Sequence, residues 1–186
     1  MSLVRVMLDL ETMSTADNAA IVQIAAVAFS GSPPLEFNTY IDPEDSKKYG
    51  EVSSETMDWW NGQDPVIRNK VFGGKATLES ALISFENFLR VASNHDLKNL
   101  RIYCRGPEFD WVILRNAYHT CLGHFPFHYQ SSQSSRTVDD IADSLGVEIP
   151  KFQTHEKHNA LADCYAQLKS WDYVKEYILA NTFLQI

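Results

Sequence analysis

The sequence predicts an α/β protein in which a mixed β-sheet is covered by helices on both faces. Three strand-like segments follow one another within the first 41 residues, and strand-like and helix-like segments then alternate. A succession of strands indicates an antiparallel meander, whereas alternation indicates parallel strands connected by helices. With 186 residues, 45% of them hydrophobic, the chain is predicted to form a single domain over residues 1–186.

The strands are predicted from their apolar patterns. Residues 3–10 are apolar on both alternating faces, which is typical of a central strand covered on both sides. A second strand is predicted over 20–30, and the turn residues at 31–34 lead into a third over 35–41. A further strand is predicted over 100–104.

Helical spacing of apolar residues identifies the other main elements. Helices are predicted over residues 78–92, 107–122, 137–145 and 159–179. Glycines and prolines interrupt residues 42–76, so this segment is predicted to be irregular apart from one helix over 53–60. The serine-rich run 131–135 is predicted to be a mobile loop.

Composition limits the possible functions. A net charge of −8 argues against a protein that grips long duplex nucleic acid with a basic stripe. There is neither an apolar run of about twenty residues nor a secretory leader pattern, so we expect no membrane association. The three cysteines, Cys104, Cys121 and Cys164, lie among apolar neighbours and are expected to be buried, reduced thiols in the cytoplasm.

Two acidic residues interrupt the apolar pattern of the first strand. Asp9 and Glu11 are separated by one residue, so their side chains leave the same face of the strand as Arg5 and Met7. Carboxylates about 4 Å apart repel each other by about 4 kcal/mol at an effective dielectric of about 20. Their charge must therefore be neutralised by a proton, by Arg5 or by a metal ion.

Three further residues are candidates for the same site. Asp110 falls in the apolar stripe of its helix with Leu114, so it is either a core-facing acid with a partner or an acid at the helix N-terminus. Asp163 lies at the edge of the buried stripe of the last helix, and His158 lies one turn earlier. Without other information, a histidine at a helix start is an ordinary surface or capping residue.

Three sequence motifs together resemble those of the DEDDh 3′-5′ exonucleases. They are Asp9-Leu-Glu11, Phe109-Asp110 and His158-Asn-Ala-Leu-Ala-Asp163, in the family's order. The segment Ile21-Val-Gln23-Ile24 resembles the second strand of the family, and His158 stands where the histidine subclass requires it. The resemblance implies a ribonuclease H-like fold with a five-stranded mixed sheet. Relatives include ribonuclease T, oligoribonuclease, the polymerase proofreading subunit and stand-alone exonucleases of phages and prophages.

The resemblance also implies a mechanism. Asp9, Glu11, Asp110 and Asp163 would hold two metal ions, and His158 would deprotonate the attacking water. Oxygen ligands favour Mg²⁺ or Mn²⁺. A zinc site with His155 and His158 lacks further cysteine or histidine ligands nearby.

Seven residues are candidate contacts to a single-stranded 3′ end. Thr12 and Met13 follow the first motif, and aromatic side chains or arginines could stack a base or bind phosphate. The candidates are Thr12, Met13, Trp59, Trp60, Arg105, Phe109 and Arg136. Core positions are the alternative for the large aromatic residues. The lead-in Arg105-Gly-Pro-Glu108 departs from the family pattern, which leaves contacts near Arg105 open.

Two functional hypotheses follow from the sequence. The first is an exonuclease that hydrolyses single-stranded 3′ ends of RNA or DNA and releases nucleoside 5′-monophosphates. The second is a catalytically silent module of the same fold that binds nucleic acid or assembles with a partner. RNA and DNA are not distinguished, because discrimination rests on a few contacts to the 2′-hydroxyl. A homodimer is possible, since Trp171, Tyr173, Tyr177 and Phe183 could form an interface or a core.

Overall fold

The computed structural model describes residues 3–152, 154 and 156–182. Its centre is a five-stranded mixed sheet, as predicted, with the strand order β3-β2-β1-β4-β5. The strands are β1 (Val4–Thr12), β2 (Ile21–Ala28), β3 (Leu35–Tyr40), β4 (Leu100–Cys104) and β5 (Ser132–Ser134). The meander is confirmed, because β2 runs antiparallel to both β1 and β3. On its other side, β1 pairs in parallel with β4.

The segment 131–135 was predicted to be a loop, and this prediction was wrong. Residues Ser132–Ser134 form β5, which pairs in parallel with β4 at the edge of the sheet. Short polar segments carry no apolar alternation, so their backbone pairing leaves no signal in the sequence. Ser135 directly follows this strand and is buried.

In the described part of the chain, seven α-helices surround the sheet. They are α1 (Pro43–Ser46), α2 (Ser54–Asn61), α3 (Pro65–Val71), α4 (Leu78–Ala92), α5 (Asp110–Leu122), α6 (Arg136–Ser144) and α7 (Ala160–Thr182). The segment 42–76 therefore contains three helices, where one was predicted. Pro43 and Pro65, which suggested irregular structure, occupy the first turns of α1 and α3, where proline is tolerated.

Helices cover both faces of the sheet, as predicted. On one face, α4 and α5 contribute Phe85 and Leu114 to a core with Leu8 of β1. On the other face, α7 packs Cys164 and Leu168 against Met7. Each face of β1 thus meets a different helix layer, and the face that carries Met7 also carries the two carboxylates.

The cysteines are all free, as expected, although Cys121 is only half-buried. Among the described helices, none combines the length and apolar character required to cross a membrane.

Candidate active site

Asp9 and Glu11 lie at the C-terminal end of β1 and face α7. They alternate with Leu8 and Leu10, which point into the core on the opposite face. A register irregularity with β2 falls between Glu11 and Thr12, where the strand ends. Glu11 is buried, with 9% of its surface exposed. The same-face prediction is therefore confirmed.

Asp110 is the first residue of α5 and is only 5% exposed. Its Oδ1 accepts a hydrogen bond of 3.2 Å from the backbone N–H of Leu10, which joins the start of α5 to β1. Both sequence interpretations hold, since Asp110 is an acid at a helix N-terminus and also faces the core. It is close enough to Asp9 and Glu11 for its charge to raise the pKa of both.

His158 and Asp163 form the third part of the site. The backbone of His158 has φ = 64°, a left-handed conformation that is uncommon for residues other than glycine. Its N–H donates a hydrogen bond of 3.1 Å to Asp163 Oδ2 in the first turn of α7. Such conformations persist where surrounding contacts hold them and are frequent at functional sites.

A buried polar network holds this turn in place. Asn159, 2% exposed, donates from Nδ2 to the hydroxyl of Tyr40 at 3.0 Å. Gln23 of β2 accepts from the N–H of Ala160 at 3.1 Å and donates to Asn159 Oδ1 at 3.4 Å. The sequence had marked Gln23 only as part of a family-like strand, and its role in anchoring the start of α7 was not foreseen.

These elements bring the predicted residues together. Ligand atoms of Glu11, His158 and Asp163 lie within 4.8 Å of one another. Asp9 is adjacent, and its carboxylate accepts a hydrogen bond of 3.0 Å from Gln167 Nε2. Gln167 was not among the predicted site residues, although its position one turn after Asp163 places it on the same face of α7.

The electrostatics of the cluster are unfavourable for four ionised carboxylates. Burial and then the charges of Asp163 and Asp110 raise the pKa of Glu11 to about 8. Burial also raises the pKa of Asp110, to about 7. The pKa of Asp9 is well above its usual range because of burial and the neighbouring charges of Asp110 and Glu11. Burial raises the pKa of Asp163 as well.

Arg5, one of the three candidate neutralisers, lies away from the carboxylates. It lines a separate hollow with Phe29 and Trp171. Among the ion pairs of the described residues, none joins a basic side chain to Asp9, Glu11, Asp110 or Asp163. Oxygen donors crowded without a basic partner suit a divalent cation of the Mg²⁺ or Mn²⁺ type. The proposed zinc partner His155 lies outside the described residues.

Three of the carboxylates open onto a cleft of about 750 Å³. The cleft is lined by Asp9, Glu11, His158 and Asp163, by residues of α6, and by Val147 and residues 149–152. Arg105 also lines this cleft and forms an ion pair of 2.9 Å with Asp139 of α6.

A second hollow of about 360 Å³ adjoins the cleft at Glu11. Trp59 and Phe109 are among its walls, together with Thr12 at the end of β1. Trp59 is 45% exposed, and its ring lies edge-on to the His158 imidazole with centroids 4.7 Å apart. This hollow therefore borders the carboxylate cluster at Glu11, and Trp59 in its wall contacts the histidine.

The remaining predicted substrate contacts are Trp60, Met13 and Arg136. Trp60 is 1% exposed at the base of the second hollow and donates a hydrogen bond of 2.9 Å to the carbonyl of Thr12. Met13 is equally buried, packs in the core cluster of Trp60, and borders neither cavity. Arg136 is paired with Glu108 at 2.8 Å on the surface beside the cleft.

Acids from the end of the central strand β1 and from the starts of α5 and α7 thus meet beside a histidine, which is the arrangement that the resemblance to DEDDh exonucleases implied. Residues 4–175 match the family described as the 3′-5′ exoribonuclease Rv2179c-like domain, and the chain belongs to this family. It is also 25% identical over 119 residues to the exodeoxyribonuclease of Enterobacteria phage T4. That alignment covers 58% of this chain and 52% of the phage protein, so it spans about half the relative's length.

Solved structures show the same fold. The structure of cell-death related nuclease 4 (CRN-4) has a TM-score of 0.62 and 15% identity, with 96% of this chain and 64% of that chain covered. The nuclease domain of 3′hExo, a DEDDh family member bound to rAMP, has a TM-score of 0.58 and 11% identity. Here the coverage is 97% of this chain and 93% of the other. The predicted fold class is thus confirmed.

Proposed function

We propose that this chain hydrolyses single-stranded 3′ ends of nucleic acid and releases nucleoside 5′-monophosphates with the help of divalent cations. The observation that carries the proposal is the convergence of four acids and His158 beside a hollow lined by Trp59 and Phe109. Membership of a 3′-5′ exoribonuclease family supports the direction of hydrolysis.

The cations proposed are two Mg²⁺ or Mn²⁺ ions. Asp9, Glu11 and Asp163 would hold them, and Asp110 would contribute directly or through water. Bound cations would supply charge neutralisation and activation of a water molecule. The protein itself contributes four carboxylates in fixed positions, because each of them is carried on a helix start or on the central strand.

His158 is proposed as the general base that takes a proton from the attacking water. Its backbone is held by Asp163 and its ring contacts Trp59, so the imidazole is restrained from two sides. A base positioned within reach of the reacting water accelerates proton transfer more than a free side chain.

The 3′-terminal nucleotide is proposed to occupy the second hollow. Trp59 and Phe109 would contact the base, and Thr12 lies at the end nearest the carboxylates. Trp60 and Met13 are proposed to support this wall from the core. The preceding nucleotides would follow the main cleft past Arg105, whose exposed ion pair with Asp139 costs little to exchange for a phosphate.

Both RNA and DNA stay open as substrates. The family description names exoribonuclease activity, whereas the phage T4 relative is named an exodeoxyribonuclease. The similarity to the T4 protein supports a phage or prophage origin as a proposal. The three free cysteines similarly support a reducing, cytoplasmic environment.

The test is degradation of 5′-labelled single-stranded RNA and DNA in Mn²⁺ and Mg²⁺. We expect a ladder that shortens from the 3′ end with wild-type protein and is abolished by Asp9→Asn. The exposed Asp172→Asn is the matched control on α7 and should retain activity. Intact labelled strands that nevertheless bind to the wild-type protein would support the silent-module hypothesis instead.

Self-association is a separate proposal. Tyr173 and Tyr177 on α7 are 37% and 38% exposed, so neither belongs to the core, and Trp171 packs on Phe29. Phe183 lies outside the described residues. Sedimentation of wild type and of a Tyr173→Ser, Tyr177→Ser double variant would show whether a homodimer forms through this face.

A further inference from the structure

Gln167 connects the carboxylate cluster to the edge of the sheet. It lies on α7 one turn after Asp163, lines the main cleft and is half-buried. Its Nε2 donates to Asp9 Oδ1 at 3.0 Å, and its Oε1 accepts from the Ser135 hydroxyl at 3.4 Å. One side chain thus bridges a candidate cation ligand and a fixed point of the fold.

The orientation of this amide follows from its two neighbours. The amide presents its N–H₂ group to Asp9 in this structure, and a carboxylate ionised on cation binding can only accept, so it would keep that orientation. Its oxygen is then left for the Ser135 hydroxyl, which can donate. Ser135 is itself fixed, because it is 5% exposed and its backbone N–H donates to the carbonyl of Cys104 at 2.8 Å.

Among the described residues, Gln167 supplies the one side-chain hydrogen bond to the Asp9 carboxylate. The neighbouring charged groups that act on Asp9 are acids, so no other charged neighbour holds its carboxylate in one orientation. The donor on Oδ1 restrains the carboxylate from one side and leaves Oδ2 available for a cation. Groups that orient a metal ligand in this way change metal affinity without touching the metal.

We propose that Gln167, oriented by Ser135, is a positioning residue that sets the cation affinity of the site by holding the Asp9 carboxylate. The proposal rests on the proposed cation-dependent function of the same cleft. Gln167 acts through Asp9, so its loss raises the Mn²⁺ concentration that is needed to fill the site. It does not change the kcat of the filled site.

The experiment is calorimetric titration of the whole protein with Mn²⁺ in the absence of nucleic acid. Gln167→Met keeps the length of the side chain but cannot donate, and we expect its Kd for Mn²⁺ to rise by about 10- to 100-fold. Ser135→Ala leaves the amide in place without its far anchor and should weaken binding by less, within about tenfold. Exposed Gln130→Met is the matched control and should bind Mn²⁺ as wild type does.

Activity provides the second measurement. At saturating Mn²⁺, Gln167→Met should recover most of the wild-type kcat with an unchanged KM for the oligonucleotide. A Gln167→Met protein that melts at a lower temperature in EDTA but binds Mn²⁺ with wild-type affinity would show a structural role only and overturn the proposal. If the wild-type protein itself neither binds Mn²⁺ nor degrades nucleic acid, the proposed function is wrong as well as the proposed role of Gln167.

Discussion

Replacing Glu11 by glutamine is expected to stabilise the metal-free protein while abolishing its activity. Burial and the charges of Asp163 and Asp110 raise the pKa of Glu11 from 4.5 to about 8. In the unfolded chain these influences are absent, so folding favours the protonated carboxyl. The stability that protonation contributes is complete below about pH 4.5 and is lost as the pH rises through about 8.

The magnitude follows from the two pKa values. Each tenfold change in proton affinity corresponds to about 1.4 kcal/mol, so values of 4.5 and about 8 correspond to up to about 5 kcal/mol at pH 9. Glutamine has the same shape and cannot ionise. Glu11→Gln should therefore exceed wild type in free energy of unfolding by several kcal/mol at pH 9, and this difference should fall below about 1 kcal/mol at pH 5.

Urea denaturation in EDTA at pH 5, 7 and 9 measures this difference. Exposed Glu176→Gln on α7 is the matched control and should differ from wild type by less than about 0.5 kcal/mol at each pH. In Mn²⁺, wild type should be more stable than Glu11→Gln, because the cation stabilises wild type and binds the variant poorly. If Glu11→Gln is equal to or less stable than wild type at pH 9 in EDTA, the cluster is not electrostatically strained and the reasoning fails.

Four further outcomes are expected. The affinity for Mn²⁺ should increase at least about tenfold between pH 6 and pH 8. Glu11 and Asp110, with pKa values of about 8 and about 7, must lose their protons before they can bind a cation. An affinity that calorimetry finds constant over this range would contradict the prediction. Trp59→Ala should raise KM for an oligonucleotide about tenfold with little change in melting temperature, since this ring is exposed; an unchanged KM would remove Trp59 from the substrate contacts. Trp60→Phe should cost about 1–3 kcal/mol in urea denaturation by leaving the buried carbonyl at the end of β1 unpaired, and a neutral effect would mean that water replaces the bond. Gly74→Ala places a Cβ 2.4 Å from a backbone carbonyl oxygen, so it should lower the free energy of unfolding in urea by about 1–3 kcal/mol or more. A variant as stable as wild type would show that the backbone there can shift freely.

The sequence by itself determined which carboxylates could meet. Side chains alternate along a strand, so Asp9 and Glu11 had to share a face wherever β1 was placed. Helical phase likewise put Asp110 on the buried side of α5. Both regularities depend only on local backbone geometry, which the apolar pattern of each segment reports directly.

Tertiary structure decided what surrounds those carboxylates. Gln167 became a partner of Asp9 because α7 packs across β1, and Trp59 reached His158 because α2 is joined to the end of β1 through Trp60. The polar edge strand β5 exists through backbone pairing with β4 and has no side-chain signature. Contacts between segments far apart in sequence depend on how elements pack together, and the periodicity of a single element holds no information about its neighbours.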